Sequence, residues 1–378
     1  MNHLSKSITL DQPGKIVFGA GTFGQLPDEC RANGFRRVLT LFASPLKREA
    51  DELSLSLIQN GISGYGVEYT YGEPTMAYFN DLLFVAKKFQ PDAVIGIGGG
   101  SVLDAAKLVA ALFDSEQKIE DIFGKNLLRG RNCALICVPT TSGTGSEVSP
   151  NAILLDENTS EKKGAVSPFL VPDSCYIDPE LMLALPPKIT AETAMDALSH
   201  CIEAFTNKFS HPVVDHYALA GIRFIVEHLE TAYRDGGNIE ARSALALGSM
   251  YGGFCLGPVN TAAVHALSYG LGGKYHIPHG LANAVLLPEV MKFNKETCPE
   301  KFEAIAHTIG VCTADEGIEN IRTLSVNCGI PQKLTQLGIH ASETGQLADL
   351  AMKVTRLLVN NPREVTKEDV IHIYHALF

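Results

Sequence analysis

No segment of this chain concentrates lysine and arginine, and 42 acidic residues outnumber 31 basic ones for a formal net charge of −11. That balance leaves no footprint for a nucleic-acid backbone, so no nucleic-acid partner is expected. Every long apolar stretch is interrupted by charge or glycine, which excludes an obvious membrane span. The opening Met1-Asn2-His3-Leu4-Ser5-Lys6 lacks the apolar core of a signal peptide, and the cytoplasm is the expected location. Nine cysteines, an odd number without paired spacing and without a Cys-x-x-Cys, read as mostly buried thiols in a reducing compartment, any one of which could be reactive; no zinc ribbon is indicated. Internal repeats and low-complexity tracts are also missing.

What is present is apolar mass with order to it. A chain of 378 residues with 46% hydrophobic content is long enough for two domains, each with its own core. Up to about residue 185, strand-like runs such as Val38 to Phe42, Ala93 to Ile97 and Ala134 to Val138 alternate with helical patterns, which predicts a largely parallel, Rossmann-like sheet covered by helices. From Thr190 onward the apolar residues recur at helical spacing, as in Ala194 to Phe205, Val214 to Leu229, Ala241 to Phe254 and Val370 to Leu377. The expected organisation is an α/β domain over 1–185 and an all-helical domain over 186–378. Leu183-Ala184-Leu185-Pro186-Pro187-Lys188 reads as the linker between them, because two prolines disfavour continuing a helix.

Four residues stand out in the helical half. Asp196 and His200, in Met195-Asp196-Ala197-Leu198-Ser199-His200, are four apart and so share one helical face. His265 lies in Ala263-Val264-His265-Ala266-Leu267-Ser268-Tyr269, and His279 in Tyr275-His276-Ile277-Pro278-His279-Gly280, where proline and glycine mark a turn that can aim a ring inward. One carboxylate and three imidazoles suit a divalent metal. An Asp/His pair at this spacing also occurs as an ordinary surface pair, so the pair alone does not decide the matter.

The α/β half carries a nucleotide-like signature. Val94-Ile95-Gly96-Ile97-Gly98-Gly99-Gly100-Ser101-Val102-Leu103-Asp104-Ala105-Ala106-Lys107 reads as a buried strand, a glycine turn and a helix start, with Ser101 as the expected cap. A phosphate fits there, because helix N-terminal N–H groups carry partial positive charge and glycines admit an anion to the backbone. The run lies far from the first strand, unlike the usual G-x-G-x-x-G placement, and a purely structural glycine turn is the alternative. After the strand Ala134 to Val138 comes Pro139-Thr140-Thr141-Ser142-Gly143-Thr144-Gly145-Ser146-Glu147, crowded with hydroxyls that suit phosphate, ribose or nicotinamide; a flexible serine-rich loop is the alternative here.

Over nearly its whole length the chain resembles the iron-containing, or group III, alcohol dehydrogenases, which include lactaldehyde reductase and 1,3-propanediol dehydrogenase. The motifs run from Gly14-Lys15-Ile16-Val17-Phe18-Gly19-Ala20-Gly21 through the glycine and threonine segments, Asp178-Pro179-Glu180-Leu181 and the Asp196/His200 helix to Ile277-Pro278-His279-Gly280. The resemblance implies the dehydroquinate synthase-like fold of that family, with Fe²⁺ on Asp196, His200, His265 and His279. It also implies cofactor contacts from Gly98, Gly99, Gly100, Ser101, Asp104, Thr140, Thr141, Thr144 and Ser146. Lys162 matches a cofactor-contacting lysine, with Lys163 as the other possible register. The active site is expected in the cleft between the two halves, since the metal ligands and cofactor loops fall in different ones.

The chemistry implied is interconversion of a small polar aldehyde and its primary alcohol. The metal acts as a Lewis acid on the substrate oxygen, and His279 counts among the catalytic residues as its ligand. Zinc stands above ferrous iron in affinity order, so a purified sample could carry zinc. Where family members have a proton-relay histidine four residues after the third ligand, this chain has Tyr269, leaving Tyr269, His276 or a water chain for that task; a supporting or structural role is the other reading of His276. Where many relatives have an aspartate after the first nucleotide-domain strand, this chain has Ala43, which puts cofactor choice in doubt. NAD(H) is expected over NADP(H), with nearby Lys47 and Arg48 read as exposed helix charges. Glu73-Pro74-Thr75 replaces the family's Asn-Pro-Thr turn. A homodimer or larger homo-oligomer is expected. Alternatives are a maleylacetate reductase-like enzyme, disfavoured by the complete ligand set, a glycerol dehydrogenase-like zinc enzyme, and a non-enzymatic nucleotide-binding protein.

Overall fold

The computed structural model describes residues 5–70, 72, 74–157 and 161–378, so Glu73 and the first four residues lie outside it. The described residues divide into two compact units, one within residues 11–141 and 146–182, the other of residues 5–10, 142–145 and 183–378.

The first unit is α/β. Its strands are β1 (Lys15–Phe18), β2 (Arg37–Ala43), β3 (Ser63–Tyr69), β4 (Ala93–Gly98), β5 (Gly124–Lys125), β6 (Ala134–Pro139), β7 (Asn151–Asp156), β8 (Glu161–Val166) and β9 (Ser174–Ile177). Six of them form a parallel sheet in the order β1-β9-β6-β4-β2-β3. Its helices are α1 (Leu26–Ala32), α2 (Lys47–Gln59), α3 (Met76–Phe89) and α4 (Gly100–Leu112). The register places Val38 beside Ala93 and Ala93 beside Ala134, so the three apolar runs become three adjacent strands. All six residues of β4 are buried, which is why that strand is apolar throughout and does not alternate. Asp178, just after β9, accepts backbone N–H groups from Gly21, Phe23 and Glu180, fastening the turn that follows β1.

A second, three-stranded sheet, β5-β8-β7, does not follow from the apolar pattern. Strand β8 begins Glu161-Lys162-Lys163 and runs antiparallel to β7, so its sequence is that of a polar surface ribbon.

The second unit is helical: α5 (Pro187–Thr206), α6 (Pro212–Arg234), α7 (Ile239–Leu256), α8 (Ala263–Tyr275), α9 (His279–Lys295), α10 (Pro299–Thr308), α11 (Ala314–Asn327), α12 (Thr344–Met352), α13 (Thr355–Leu358) and α14 (Lys367–His375). Helix α5 is buried almost all round, from Thr190 to Thr206 with Thr193 the exception, and packs against α6, α7 and α9. Met195, Leu198, Ile202, Ile222, Leu229, Leu267, Leu286, Ile321 and Tyr374 belong to the unit's continuous core.

The proposed linker is shorter than its prolines imply, because Pro187 opens α5. A proline is at home in a first turn, where its missing N–H has no helical partner anyway. The preceding segment is pinned by Arg242, a fully buried guanidinium that donates to Leu185 O, Gly236 O and Thr190 Oγ1. Among the described residues no helix is long and apolar enough to cross a membrane. Eight of the nine cysteines are buried, and burial pushes thiols such as Cys137 and Cys201 up to about 12. Those thiols are inert packing groups at neutral pH.

Candidate functional site

Helices α5, α8 and α9 bring the predicted ligands together. Asp196 and His200 sit one turn apart on α5, His265 lies in the first turn of α8, and His279 is the first residue of α9. From Asp196 Oδ1, the Nε2 atoms of His265, His279 and His200 lie at 3.6, 3.7 and 3.8 Å. Ligand atoms arranged tetrahedrally on a cation at bond lengths of about 2.1–2.2 Å would be about 3.4–3.6 Å apart, so the distances from Asp196 Oδ1 suit a divalent ion, with His200 outside the mutually close set of three. Asp196, His265 and His279 offer ligand atoms all within 4.8 Å of one another. The His200 and His265 rings stack with centroids 4.7 Å apart.

Charge within the cluster is mutually adjusted. Burial opposes ionisation of Asp196, but His200, His279 and His265 hold its carboxyl well below the usual carboxylate range. Burial pushes His200 down to about 4, which keeps its ring neutral. Burial also disfavours charge on His265, yet Glu203 and Asp196 overcome this and raise it to about 9. A cation taking the Nε2 lone pair therefore displaces a proton from His265. The side chains of Asp196, His200 and His265 are 4–5% exposed and that of His279 is 30% exposed, so the cluster opens on the His279 side.

Two polar residues that sequence reasoning passed over complete this cluster. Glu203 Oε2 lies 2.6 Å from His265 Nδ1, while its Oε1 accepts the Val264 N–H. Asn283 Nδ2 lies 2.7 Å from Asp196 Oδ1 and 3.1 and 3.2 Å from Nε2 of His265 and His279. A signal for both was present. Glu203 is seven residues after Asp196 and Asn283 four after His279, so each shares a helix face with a ligand.

The predicted proton-relay residues are placed differently. Tyr269 is one turn beyond His265, and its hydroxyl accepts a 2.7 Å hydrogen bond from Arg356. His276 is exposed, in the left-handed conformation (φ 55°) that closes α8.

In the α/β unit, Gly98 ends β4 and α4 starts at Gly100 with no side-chain cap. Ser101 is the second residue of α4, not its cap; Gly99 holds the cap position. Gly99 has φ −75°, so the glycines of this turn are not required by left-handed backbone. Close packing requires Gly98, where a Cβ would come 2.6 Å from Val102 Cγ2, and a Cβ on Gly99 would meet Thr141 Oγ1 at a tight 3.2 Å. Thr140 N–H donates to Gly98 O, which ties the threonine segment to the turn.

The rest of that segment has structural work. Ser146 Oγ donates to Asp104 Oδ1 at 2.5 Å, and Asp104 Oδ2 accepts the Ile153 N–H. Thr144 belongs to the helical unit, as do Gly143 and Gly145. A Cβ on Gly145 (φ 61°) would lie 2.4 Å from Gly253 Cα, so this glycine is set by backbone contact with α7. Lys163 Nζ is bound to Asp156 at 2.6 Å, and Lys162, the next residue along β8, points to the opposite face of its sheet. Ala43 ends β2, one residue past the Phe42 and Ile97 pair, and so lies at the same sheet edge as the glycine turn.

Comparison with known proteins agrees with this geometry. Residues 13–179 match the model for iron-containing alcohol dehydrogenase, and residues 190–378 match that for the C-terminal part of the Fe-containing alcohol dehydrogenase family. The chain is similar to long-chain-alcohol dehydrogenase 1 of Geobacillus thermodenitrificans, with 34% identity over 96% of both chains. It is also similar to the crystal structure of 1,3-propanediol oxidoreductase, with 32% identity, TM-score 0.94 and coverage of 99% of this chain and 100% of the other. Sulfoacetaldehyde reductase from Bifidobacterium kashiwanohense, solved in complex with NAD⁺, matches with 28% identity, TM-score 0.92 and 99% coverage of each. With both units matched and one carboxylate converging on three imidazoles, the chain belongs to the iron-containing alcohol dehydrogenase family and is an oxidoreductase.

Proposed function

We propose that this protein interconverts a small polar aldehyde and its primary alcohol, with Fe²⁺ held by Asp196, His200, His265 and His279 and NAD(H) held at the turn after β4. The observation that carries this reading is the convergence of three Nε2 atoms at 3.6–3.8 Å from one carboxylate oxygen. When bound, the cation supplies Lewis acidity at the substrate oxygen, and the nicotinamide supplies or takes up the hydride. The protein's own residues prepare the site. Asp196 and neutral His200 present lone pairs from a buried helix, and the partly open His279 side leaves an approach for substrate.

Pyrophosphate binding is assigned to Gly98, Gly99, Gly100 and Ser101, because the first turn of α4 contains no acidic residue and no side-chain cap competes for its N–H groups. Asp104 and Ser146 support that turn through their mutual hydrogen bond, and Thr140 and Thr141 line it. Lys162, on the face of β8 opposite Lys163, is proposed to reach the cofactor. NADH is the proposed cofactor over NADPH: Ala43 offers a 2′-phosphate no partner, Lys47 lies 3.3 Å from Asp51, and Arg48 lies 2.6 Å from Glu49. Proton transfer is assigned to Tyr269. Arg356 fills one acceptor position of its hydroxyl, which leaves the O–H to donate.

An anaerobic assay with added Fe²⁺, both reduced cofactors and a panel of short aldehydes tests this function. Oxidation of NADH that depends on aldehyde and Fe²⁺ supports it; absence of turnover across the panel refutes it. Zinc is the second reading for the ion, since it outranks ferrous iron in affinity for nitrogen and oxygen donors. Activity restored equally by Zn²⁺ would favour it.

A further inference from the structure

Beyond the four ligands, Glu203 and Asn283 form a polar network that joins them. Glu203 is 3% exposed and engages both carboxylate oxygens, Oε1 with the Val264 N–H and Oε2 with His265 Nδ1, each at 2.6 Å. Helix α8 has no cap of its own, because Ala262 stands at its N-cap. Glu203, reaching across from α5, supplies that missing acceptor and with the same carboxylate fixes the first-turn histidine. Asn283 is fully buried, and its amide nitrogen lies 2.7–3.2 Å from Asp196 Oδ1, His265 Nε2 and His279 Nε2.

We infer that Glu203 and Asn283 are positioning residues that assemble the donor set before any cation arrives, an inference that rests on the metal-site reading above. Glu203 accepts the Nδ1 proton of His265 and so turns Nε2, the nitrogen that gives up its proton to a cation, into the cluster. Asn283 links the ligand of α5 to those of α8 and α9 through one amide group. Removing either partner leaves the ligands in place by sequence but free to rotate, so cation affinity and coordination geometry change together. A buried pair that only supported the fold would change neither once the protein was folded.

The test is Co²⁺ binding to the full-length protein, read by its visible absorption and by competition with a chelator, for wild type, Glu203→Gln, Glu203→Asp and Asn283→Leu. The variants are first shown to be folded by circular dichroism. Loss of such supporting contacts reduces metal affinity by roughly 10- to 100-fold. The inference expects that loss in Glu203→Gln and Asn283→Leu, a displaced Co²⁺ absorption at saturation, and partial recovery in Glu203→Asp. If Leu at position 283 prevents folding, the two Glu203 variants decide. Wild-type affinity and spectrum in the folded variants overturn the inference. If the wild type takes up no Co²⁺ while folded, the metal-site reading itself fails, which is a different result.

Discussion

Gly280 packs so tightly on Glu192 that a Cβ at position 280 would come 2.3 Å from the Glu192 carbonyl oxygen. This contact presses the first turn of α9, which begins with His279, onto α5 one turn before Asp196. The distance between two of the proposed ligands, Asp196 and His279, is therefore set by a glycine that carries no chemistry. Gly280→Ala is expected to push α9 outward, lowering stability by about 1–3 kcal/mol and metal occupancy with it. Metal analysis beside a thermal melt checks this; unchanged occupancy would show that α9 does not set the site.

The glycine turn makes a separable prediction. Gly99→Val places a branched side chain against Thr141 and above the N-terminus of α4, where the pyrophosphate is assigned. NADH affinity measured by calorimetry should fall at least about tenfold, or roughly 1.4 kcal/mol, with metal content unchanged. Retained affinity would place the pyrophosphate elsewhere.

Much of this was legible beforehand, and the gaps have physical causes. The runs at Val38, Ala93 and Ala134 were visible because strands buried on both faces are apolar throughout. The sheet containing Glu161 to Val166 was not, because a polar ribbon looks like a loop. Asp196 and His200 announced themselves by spacing, whereas Glu203 and Asn283 gain meaning only from partners on other helices. The glycines at 98 and 99 are read from sequence as admitting an anion to the backbone; the crowding of Gly98 by Val102 is a second constraint, visible only in three dimensions. Ser101 looks like a cap by residue type, and the helix begins two residues too early for it to serve.

Glu147 offers a pH test. It is buried, and burial raises its carboxyl from 4.5 to about 7. The folded protein thus holds this proton more tightly than the unfolded chain, and ionisation costs stability as pH rises from 4.5 through 7. Above that window the full cost is about 3 kcal/mol. Glu147→Gln, which has no proton to lose, should match wild type in thermal melts near pH 4.5 and exceed it at pH 8. Equal melting temperatures at pH 8 would mean that Glu147 is not held protonated.

Cofactor choice is predicted to turn on Ala43 at the end of β2. A carboxylate there would repel a 2′-phosphate, and at a partly exposed site this is about 1–3 kcal/mol, or roughly ten- to a hundredfold in relative kcat/KM. Ala43→Asp should shift the NADH/NADPH ratio toward NADH by that factor. An unchanged ratio would mean that residue 43 does not face the ribose.

The central claim is that Asp196, His200, His265 and His279 hold one catalytic divalent ion, and metal removal under anaerobic conditions tests it most directly. Stripped wild-type protein should lose aldehyde-dependent NADH oxidation and regain it on stoichiometric Fe²⁺, while folded His200→Ala should neither retain the ion nor respond to it. Full turnover by the metal-free protein would contradict the account.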